Sequence, residues 1–270
     1  MRHRYCGEME VLVSTDDVLA IDIGATNIKF ARVDREGRLL GPLKRRATPY
    51  PCTPERLVAW VTQRIQRNEV ERVGVGFPGE FDDGHVVRPG NLSRPGGVGT
   101  ALDDDLDRLW SGFALESTLR RATSRDVRVV NDATLAALGC SRGVGRELVV
   151  TLGTGCGLAL RVEGRRQRVR DLGRTMFSQE LTYDQALGER ARARDGEEWR
   201  GVVRRAVGEL AAEFGATTVY LAGGNARRIA RDHFEGAQFA FEIVGNEVSL
   251  RGAARLFEPN VAAVQPSEHS

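Results

Sequence analysis

Two short glycine-containing segments have the composition of phosphate-binding turns. The first, residues 22–27, reads Asp-Ile-Gly-Ala-Thr-Asn, and the second, residues 151–157, reads Thr-Leu-Gly-Thr-Gly-Cys-Gly. Glycine leaves backbone N–H groups uncovered, and threonine and asparagine add side-chain donors, so each segment can offer hydrogen bonds to phosphate oxygens. Asp22 adds a carboxylate that could hold a hydrated Mg²⁺ against those oxygens. Taken singly, the first segment could be an ordinary aspartate turn and the second a plain hairpin loop.

The second segment differs from the two common nucleotide-binding loops. It lacks the Gly-Lys-Ser/Thr ending of a Walker loop. It also runs into an apolar strand at 158–162, whereas a dinucleotide-binding fingerprint opens a helix. Both of those motifs are therefore excluded.

The pair Asn131-Asp132 is a candidate for acid–base chemistry. It follows the apolar stretch 127–130 and precedes the helix-prone stretch 133–138. An alcohol is a poor nucleophile at neutral pH, so phosphoryl transfer to a hydroxyl needs a carboxylate to accept the proton. Asp132 could be that base. It could also be the N-cap of the helix, which is the usual role of aspartate in such a place.

A pair of glycines ends a further strand. The apolar run 219–221 leads into Ala222-Gly223-Gly224-Asn225, and a helix is predicted at 226–234. Paired glycines would let a flat ring approach the backbone, but they would also let a strand and a helix pack closely.

The elements that must position these residues occur twice along the chain. Strands are predicted at 18–24 and 28–33, and moving forward by 129 positions brings the same pattern to the second glycine turn. Each hairpin is followed by an amphipathic helix, with apolar residues at helical spacing, and by another apolar strand. The helical faces are formed by Leu57, Val58, Val61 and Ile65 in the first half and by Val202, Val203, Ala206, Leu210 and Phe214 in the second.

Two tandem α/β units of this kind would place both glycine turns at a cleft between them, where ligand sites are common. We predict units at 18–131 and 132–258, with flexible tails at 1–17 and 259–270. A single mixed sheet, in which the glycine turns serve only as hairpins, is the alternative.

The overall composition is that of a globular protein. The 270 residues carry a formal charge of +2, which is too even for a dedicated nucleic-acid binder. The sequence contains no run of about 20 apolar residues and no secretory leader, so we expect a cytoplasmic protein without membrane contact. The cysteines, Cys6, Cys52, Cys140 and Cys156, are widely separated, which suggests neither a zinc site nor a disulfide framework.

In this order, the motifs resemble those of the ROK family of sugar kinases, within the hexokinase and actin-like ATPase superfamily. Four segments carry the resemblance, namely 22–29, 129–133, 151–157 and 222–226, and it extends over nearly all of 18–257. The polyphosphate glucokinase-like branch of the family is the most similar. The resemblance implies a duplicated, two-domain α/β fold of the actin-like ATPase (ribonuclease H-like) type with a central cleft.

The resemblance also implies roles for individual residues. Asp132 would be the general base, and Asp22 would hold Mg²⁺ through water. Phosphate would be bound by Asp22, Gly24, Thr26, Asn27, Lys29, Thr151, Gly153, Thr154 and Gly155, and the nucleotide by Gly223, Gly224 and Asn225. The sugar would be bound by Asn91, Asn131, Asp171 and Arg174. The segment 246–254 would form a helix that packs back on the first domain.

Some positions depart from the family pattern. Family members generally have Glu-Leu-Gly-His where this chain has Asp171-Leu172-Gly173-Arg174, so the carboxylate is one methylene shorter and a donor-only cation replaces the imidazole. Ala25 replaces a glycine, which matters only if its φ is positive. The cysteine-rich zinc segment of many members is missing, and we expect no structural zinc.

We therefore expect a kinase that transfers a phosphoryl group from ATP or polyphosphate to glucose or a related sugar. A weakened, regulatory binding protein for a sugar or nucleotide is the alternative, motivated by Asp171 and Arg174. Segment 1–17 is shorter than a helix-turn-helix, which argues against a DNA-binding repressor. Basic residues at 44–46 and 165–170 could line a path for polyphosphate or could be solvated hairpin faces. A homodimer is the default expectation.

Overall fold

The computed structural model describes residues 16–258 and the backbone of 264–265. The predicted tails therefore lie almost entirely outside the described residues. The strands are β1 Val18–Ile23, β2 Asn27–Val33, β3 Lys44–Ala47, β4 Arg72–Phe77, β5 Glu80–Asp82, β6 His85–Arg88, β7 Asp126–Asn131, β8 Arg146–Leu152, β9 Cys156–Val162, β10 Arg165–Gln167, β11 Thr218–Ala222, β12 Ala240–Ile243 and β13 Val264–Gln265. The helices are α1 Pro54–Gln66, α2 Asp104–Trp110, α3 Leu115–Thr123, α4 Asp132–Cys140, α5 Tyr183–Leu187, α6 Glu189–Asp195, α7 Glu197–Glu213 and α8 Val248–Arg255.

The described strands form two large sheets with the same internal order and a small two-stranded sheet, β5-β6. The first sheet runs β3-β2-β1-β4-β7, with an antiparallel meander followed by two parallel strands. The second, read from β10, runs β10-β9-β8-β11-β12 in the same pattern, and β13 is added beyond β10. An offset of 129 residues carries β2 onto β9, so the predicted duplication is confirmed and the single-sheet alternative is wrong.

Each sheet is covered by helices whose buried faces agree with the sequence pattern. Helix α1 begins after Thr53, whose side chain caps it by accepting from the Arg56 N–H, and it buries Leu57, Val61 and Ile65. Helix α7 buries Trp199, Val203, Ala206, Val207, Leu210 and Ala211. We refer to β1–β7 with α1–α3 as the first lobe and to β8–β13 with α5–α7 as the second lobe. No helix within the described ranges is both long and apolar enough to cross a membrane.

The helix predicted at 226–234 is not continuous. The chain forms a 3₁₀ turn at Ala226–Arg228 and another at Arg231–Phe234, and Ala230 between them is extended. The side chain of Asn225, which could have capped a helix here, instead donates to the Gly153 carbonyl 3.0 Å away. Without a side-chain cap, and with an extended residue in its middle, the segment does not propagate as an α-helix.

Two helices, α4 and α8, lie between the lobes and join them. The alanine face of α4 packs on the second sheet, while its Leu135 and Leu138 share a cluster with α8 and the first sheet. The helices cross so closely that a methyl group on Gly139 or Gly252 would overlap the backbone of the other helix. Helix α8 packs on β1, as expected for the segment 246–254.

Candidate active site

The first glycine turn links β1 to β2 and directs its carbonyl groups into the protein. The carbonyl of Gly24 accepts from the Thr48 hydroxyl at 2.7 Å, that of Ala25 from the Tyr50 hydroxyl at 2.6 Å, and that of Thr26 from the Thr48 N–H at 3.0 Å. Within the described residues, the N–H groups of Ala25 and Thr26 have no acceptor. Ala25 does not have a positive φ, so its side chain causes no backbone strain.

The second glycine turn links β8 to β9 and repeats this arrangement. The Gly153 carbonyl accepts from Asn225 Nδ2 at 3.0 Å, and the Thr154 carbonyl accepts from the Glu189 N–H at 3.2 Å. The Gly155 carbonyl accepts from the Gly153 N–H at 2.9 Å. The N–H groups of Thr154 and Gly155 find no acceptor among the described residues. Their positions are those of Ala25 and Thr26 moved by 129 residues. The duplication therefore preserves two free donors in each turn.

The two turns meet across the cleft between the lobes. The hydroxyl oxygens of Thr26 and Thr154 lie 3.0 Å apart, within hydrogen-bond distance, although the residues are 128 positions apart in sequence. Thr26 and Asn27 are exposed, and Thr154 is half-buried. The open side of the paired turns thus carries hydroxyl groups and unpaired N–H groups, which is the donor set that phosphate oxygens require.

Asp132 is the first residue of α4, and Asn131 is the cap. The Asn131 side-chain oxygen accepts from the N–H groups of Ala133 and Thr134 at 2.9 and 3.2 Å, and its amide nitrogen donates to the Gly79 carbonyl at 2.8 Å. The capping role considered for Asp132 is therefore wrong, because the preceding residue already satisfies the helix end. The Asp132 carboxylate accepts from its neighbour's N–H, that of Ala133, at 2.8 Å. One N–H of the Asn131 amide remains for a ligand.

The environment of Asp132 disfavours its charge. Burial, followed by the nearby charge of Asp22, raises the pKa of Asp132 from 3.8 to about 7. Gly76 lies beside both residues: a methyl group there would be 3.4 Å from Asp22 Oδ1 and 3.5 Å from Asp132 Cα, which is ordinary contact, but only 2.9 Å from Leu135 Cδ2. A carboxyl group with a pKa near neutrality is suited to accepting a proton during a reaction.

Asp22 is held by two donors on one of its oxygens. Its Oδ2 accepts from Lys29 Nζ at 2.9 Å and from the Ser249 hydroxyl, on α8, at 2.7 Å. Lys29, predicted to bind phosphate, is thus ion-paired with Asp22 in the structure. Within the described residues, Asp22 Oδ1 accepts no hydrogen bond. The sequence analysis did not predict a role for Ser249, because it assigned segment 246–254 only to packing against the first domain.

Asp184, in the first turn of α5, is a second residue that sequence reasoning missed. Its Oδ1 accepts from the Cys156 N–H at 2.7 Å, and its own N–H donates to the Gly173 carbonyl at 3.1 Å. Burial raises the pKa of Asp184. It therefore connects the second glycine turn to the segment that contains Asp171 and Arg174. The only local signal is the capping box formed by Thr182 and Gln185, which marks the helix start but not the contact.

Two of the four predicted sugar residues, Asp171 and Arg174, line a cavity of about 310 Å³. It is lined by Glu80, Arg88, Arg170, Asp171, Arg174 and Thr175. Asn91 lies in the 3₁₀ turn Gly90–Ser93, and its side chain makes no hydrogen bond with the part of the chain that the structure describes. Asp171 and Arg174 thus share one cavity, whereas Asn91 is not among its lining residues.

The two glycines after β11 have different surroundings: Gly223 is packed against β8, and Gly224 is open. Gly223 has φ +89°, and a methyl group there would overlap the Leu152 carbonyl, so close packing on β8 requires glycine. Around Gly224 no atom lies within 4 Å of where a methyl group would be. Gly224 is therefore the position of the pair at which a ligand could approach the backbone.

The first basic run occupies the edge strand β3, and the second begins on β10, which is paired with β13. Lys44, Arg45 and Arg46 are exposed on β3. Arg165 and Arg166 lie on β10, while Arg168 is paired with Asp82 and Arg170 with Glu213. No group of three or more His, Cys, Asp or Glu side chains in the described ranges is arranged to hold a metal.

Comparison with known proteins decides the family. The ROK family profile matches residues 18–170, which is more than half of the chain. The chain belongs to the ROK family. A curated glucokinase of Halalkalibacterium halodurans is 26% identical over 159 residues, covering 52% of this chain and 42% of the relative. The matched region thus spans less than half of that relative's length.

Solved ROK structures share the fold. The inorganic polyphosphate/ATP-glucomannokinase of Arthrobacter sp. strain KM is 28% identical with a TM-score of 0.71, covering 89% of this chain and 97% of that one. The Streptomyces griseus ROK glucokinase, solved with glucose and AMPPNP, is 21% identical with a TM-score of 0.67 over 89% of this chain and 98% of that one. The predicted duplicated actin-like ATPase fold of this ROK protein is confirmed.

Proposed function

We propose that this ROK protein is a sugar kinase that transfers a phosphoryl group from ATP or polyphosphate to a sugar hydroxyl. The contact between the Thr26 and Thr154 hydroxyls, 3.0 Å apart, carries the proposal because it brings the two sets of free N–H donors together. A phosphate chain lying across the paired turns would receive donors from both lobes. The names of the Arthrobacter and Halalkalibacterium relatives support the same reaction class.

The residues divide the chemistry between them. The acceptor hydroxyl attacks the terminal phosphorus, and its proton passes to the Asp132 carboxylate as the new O–P bond forms. The old P–O bond breaks, and ADP or a polyphosphate shortened by one unit leaves. The N–H groups of Ala25, Thr26, Thr154 and Gly155 are fixed by the turns, so they can stabilise the charge on the transferring group without rearranging.

The donor set at Asp22 fits a magnesium ion. Mg²⁺ usually binds through one or two carboxylates, with phosphates and water completing its shell. Asp22 Oδ1 has no donor among the described residues, so it is available for such a role, directly or through water. When bound, Mg²⁺ would neutralise charge on the phosphates of the donor. Lys29 and Ser249 hold the carboxylate in place.

ATP and polyphosphate would be bound by different parts of the molecule. An open backbone at Gly224 would leave room for the adenosine of ATP. Polyphosphate would instead need cations beyond the cleft, and the exposed β3 run could supply them. Because Arg168 and Arg170 are already paired with Asp82 and Glu213, they would contribute less to such a path.

A substrate panel tests the proposal. Purified protein is incubated with Mg²⁺ and either ATP or polyphosphate, together with neutral and anionic sugars, and phosphorylated products are detected by mass spectrometry. We expect product with at least one combination. Sugar binding without any product or donor consumption would overturn the kinase assignment and favour the regulatory binding protein that Asp171 and Arg174 suggest.

A further inference from the structure

The cavity beside the cleft has walls from both lobes. Glu80 and Arg88 come from the β5–β6 hairpin of the first lobe, and Arg170, Asp171, Arg174 and Thr175 come from the second. A hydrogen bond ties one wall of the cavity to the start of α4: Glu80 follows Gly79, whose carbonyl accepts from Asn131, the residue before Asp132. On the other side, Asp184 links it to the second glycine turn. A molecule in the cavity would thus contact segments that are hydrogen-bonded to the residue before the candidate base and to the second glycine turn.

Two of the three arginines that line this cavity have ion-pair partners. Arg88 pairs with Glu80, with Nε and Oε2 3.5 Å apart, and Arg170 pairs with Glu213, with Nη2 and Oε2 2.8 Å apart. Arg174 makes no ion pair or hydrogen bond with any described residue. Asp171 is not its partner, since that carboxylate accepts from the Gly173 N–H at 3.2 Å. The charge of Arg174 acts on the Asp184 carboxylate only without direct contact, so among the described residues Arg174 is the cavity cation that has no hydrogen-bonded partner.

A neutral sugar would be a poor match for this arrangement. Closing the lobes over it would remove the Arg174 guanidinium from water with no hydrogen-bonded counter-ion, although the Asp171 and Asp184 carboxylates lie nearby, and this desolvation is costly. A carboxylate or phosphate on the ligand would instead receive two parallel hydrogen bonds from the planar guanidinium. The Asp171 carboxylate can accept from hydroxyl groups of the same ligand.

We propose that the acceptor is an anionic sugar, carrying a carboxylate or phosphate group that binds Arg174. This inference rests on the proposed kinase function and names its substrate class. The ligand's hydroxyl attacks the terminal phosphorus of ATP or polyphosphate and gives its proton to Asp132, and the shortened donor leaves. The anionic group of the acceptor stays unchanged and serves only to bind and orient it.

The test compares acceptors of different charge. The neutral probes are D-glucose and D-mannose, the carboxylate probes are D-gluconate and D-glucuronate, and the phosphate probes are D-glucose 1-phosphate and D-glucose 6-phosphate. Binding is measured by calorimetry, and phosphorylation by mass spectrometry with each donor. We expect at least one anionic probe to bind at least about tenfold more tightly than D-glucose. The carboxylate and phosphate arms show which anion is preferred.

Variants of Arg174 test whether this residue causes the tighter binding of anionic probes. Arg174→Gln should weaken binding of the preferred anionic probe by about 10-fold to 100-fold, while Arg174→Lys, which retains a point charge, should lose less. Donor KM should not change in either variant. The control is Arg204→Gln, an exposed arginine on α7 that makes no contact with the cavity.

Different failures point to different errors. Tighter binding and turnover of neutral sugars would overturn the anionic acceptor and leave the kinase intact. A higher donor KM in Arg174→Gln, with acceptor binding unchanged, would also overturn it by assigning Arg174 to the donor. Arg174-dependent binding of an anionic probe without any phosphorylation would support the anion site and overturn the kinase function.

Discussion

Replacing Asp132 by asparagine should make the protein more stable at neutral and higher pH. The rise in the pKa of Asp132 from 3.8 to about 7 means that the folded protein binds a proton more tightly than the unfolded chain. The contribution of protonated Asp132 to the free energy of unfolding is fully present at low pH, and it is lost as the pH rises from about 4 to about 7. At about 1.4 kcal/mol per pKa unit, the loss reaches about 4 kcal/mol as an upper bound, and partial exposure in the cleft reduces it to about 2 kcal/mol.

The assay is the free energy of unfolding in urea, measured for the wild type and for Asp132→Asn between pH 4 and pH 8.5. Because all other groups are shared, the difference between the two proteins isolates residue 132. Asp132→Asn should gain stability relative to the wild type up to pH of about 7 and then stay level. The control is Asp104→Asn, an exposed aspartate on α2. A difference that does not vary with pH, or that Asp104→Asn reproduces, would refute the reasoning.

Three further outcomes follow from the same contacts. The kcat/KM of phosphoryl transfer should rise tenfold per pH unit on the acid side and level off near pH 7, since Asp132 must be ionised to accept a proton; a pH-independent rate would contradict this. Gly252→Ala should lower the free energy of unfolding by about 1–3 kcal/mol, because the added methyl group would overlap the Leu135 carbonyl. The control, Gly201→Ala, lies in open space on α7 and should raise that free energy by about 0.5–1 kcal/mol. Equal effects of the two substitutions would contradict the close crossing of α4 and α8. Asp184→Ala should cost about 1–3 kcal/mol in urea unfolding and raise the donor KM, because the Cys156 N–H loses its acceptor; an unchanged KM would remove Asp184 from the site.

Features set by local sequence were predictable. Alternating apolar residues and glycine turns specify a hairpin within about 15 residues, which is why β1–β2 and β8–β9 agree with the predicted pattern at an offset of 129. The helical stripe containing Leu57, Val61 and Ile65 was predictable for the same reason. The sequence predicted that the two turns lie at one cleft only because the two halves repeat each other. In the structure, the Thr26 and Thr154 hydroxyl groups are in direct contact.

Features set by tertiary contacts were not predictable from local patterns. The cap of α4 could have been Asn131 or Asp132, and the choice depends on the Gly79 carbonyl, which receives the Asn131 amide. Asp184 reaches Cys156 from 28 residues away, and no local pattern specifies such a distance. The broken segment after Gly224 likewise depends on Asn225 being used by Gly153. The domain limits at 131 and 132 remain a prediction, as does the homodimer.

The rate of phosphoryl transfer by Asp132→Asn, relative to the wild type with the same donor and acceptor at pH 8, tests the central claim most directly. A general base contributes about 10²-fold to 10⁴-fold, so we predict a loss of that size. Donor affinity, measured by calorimetry on the same samples, should stay within about twofold, since the Ala25, Thr26, Thr154 and Gly155 donors are untouched. A variant that retains the wild-type rate would contradict the assignment of Asp132 as the base between the two glycine turns.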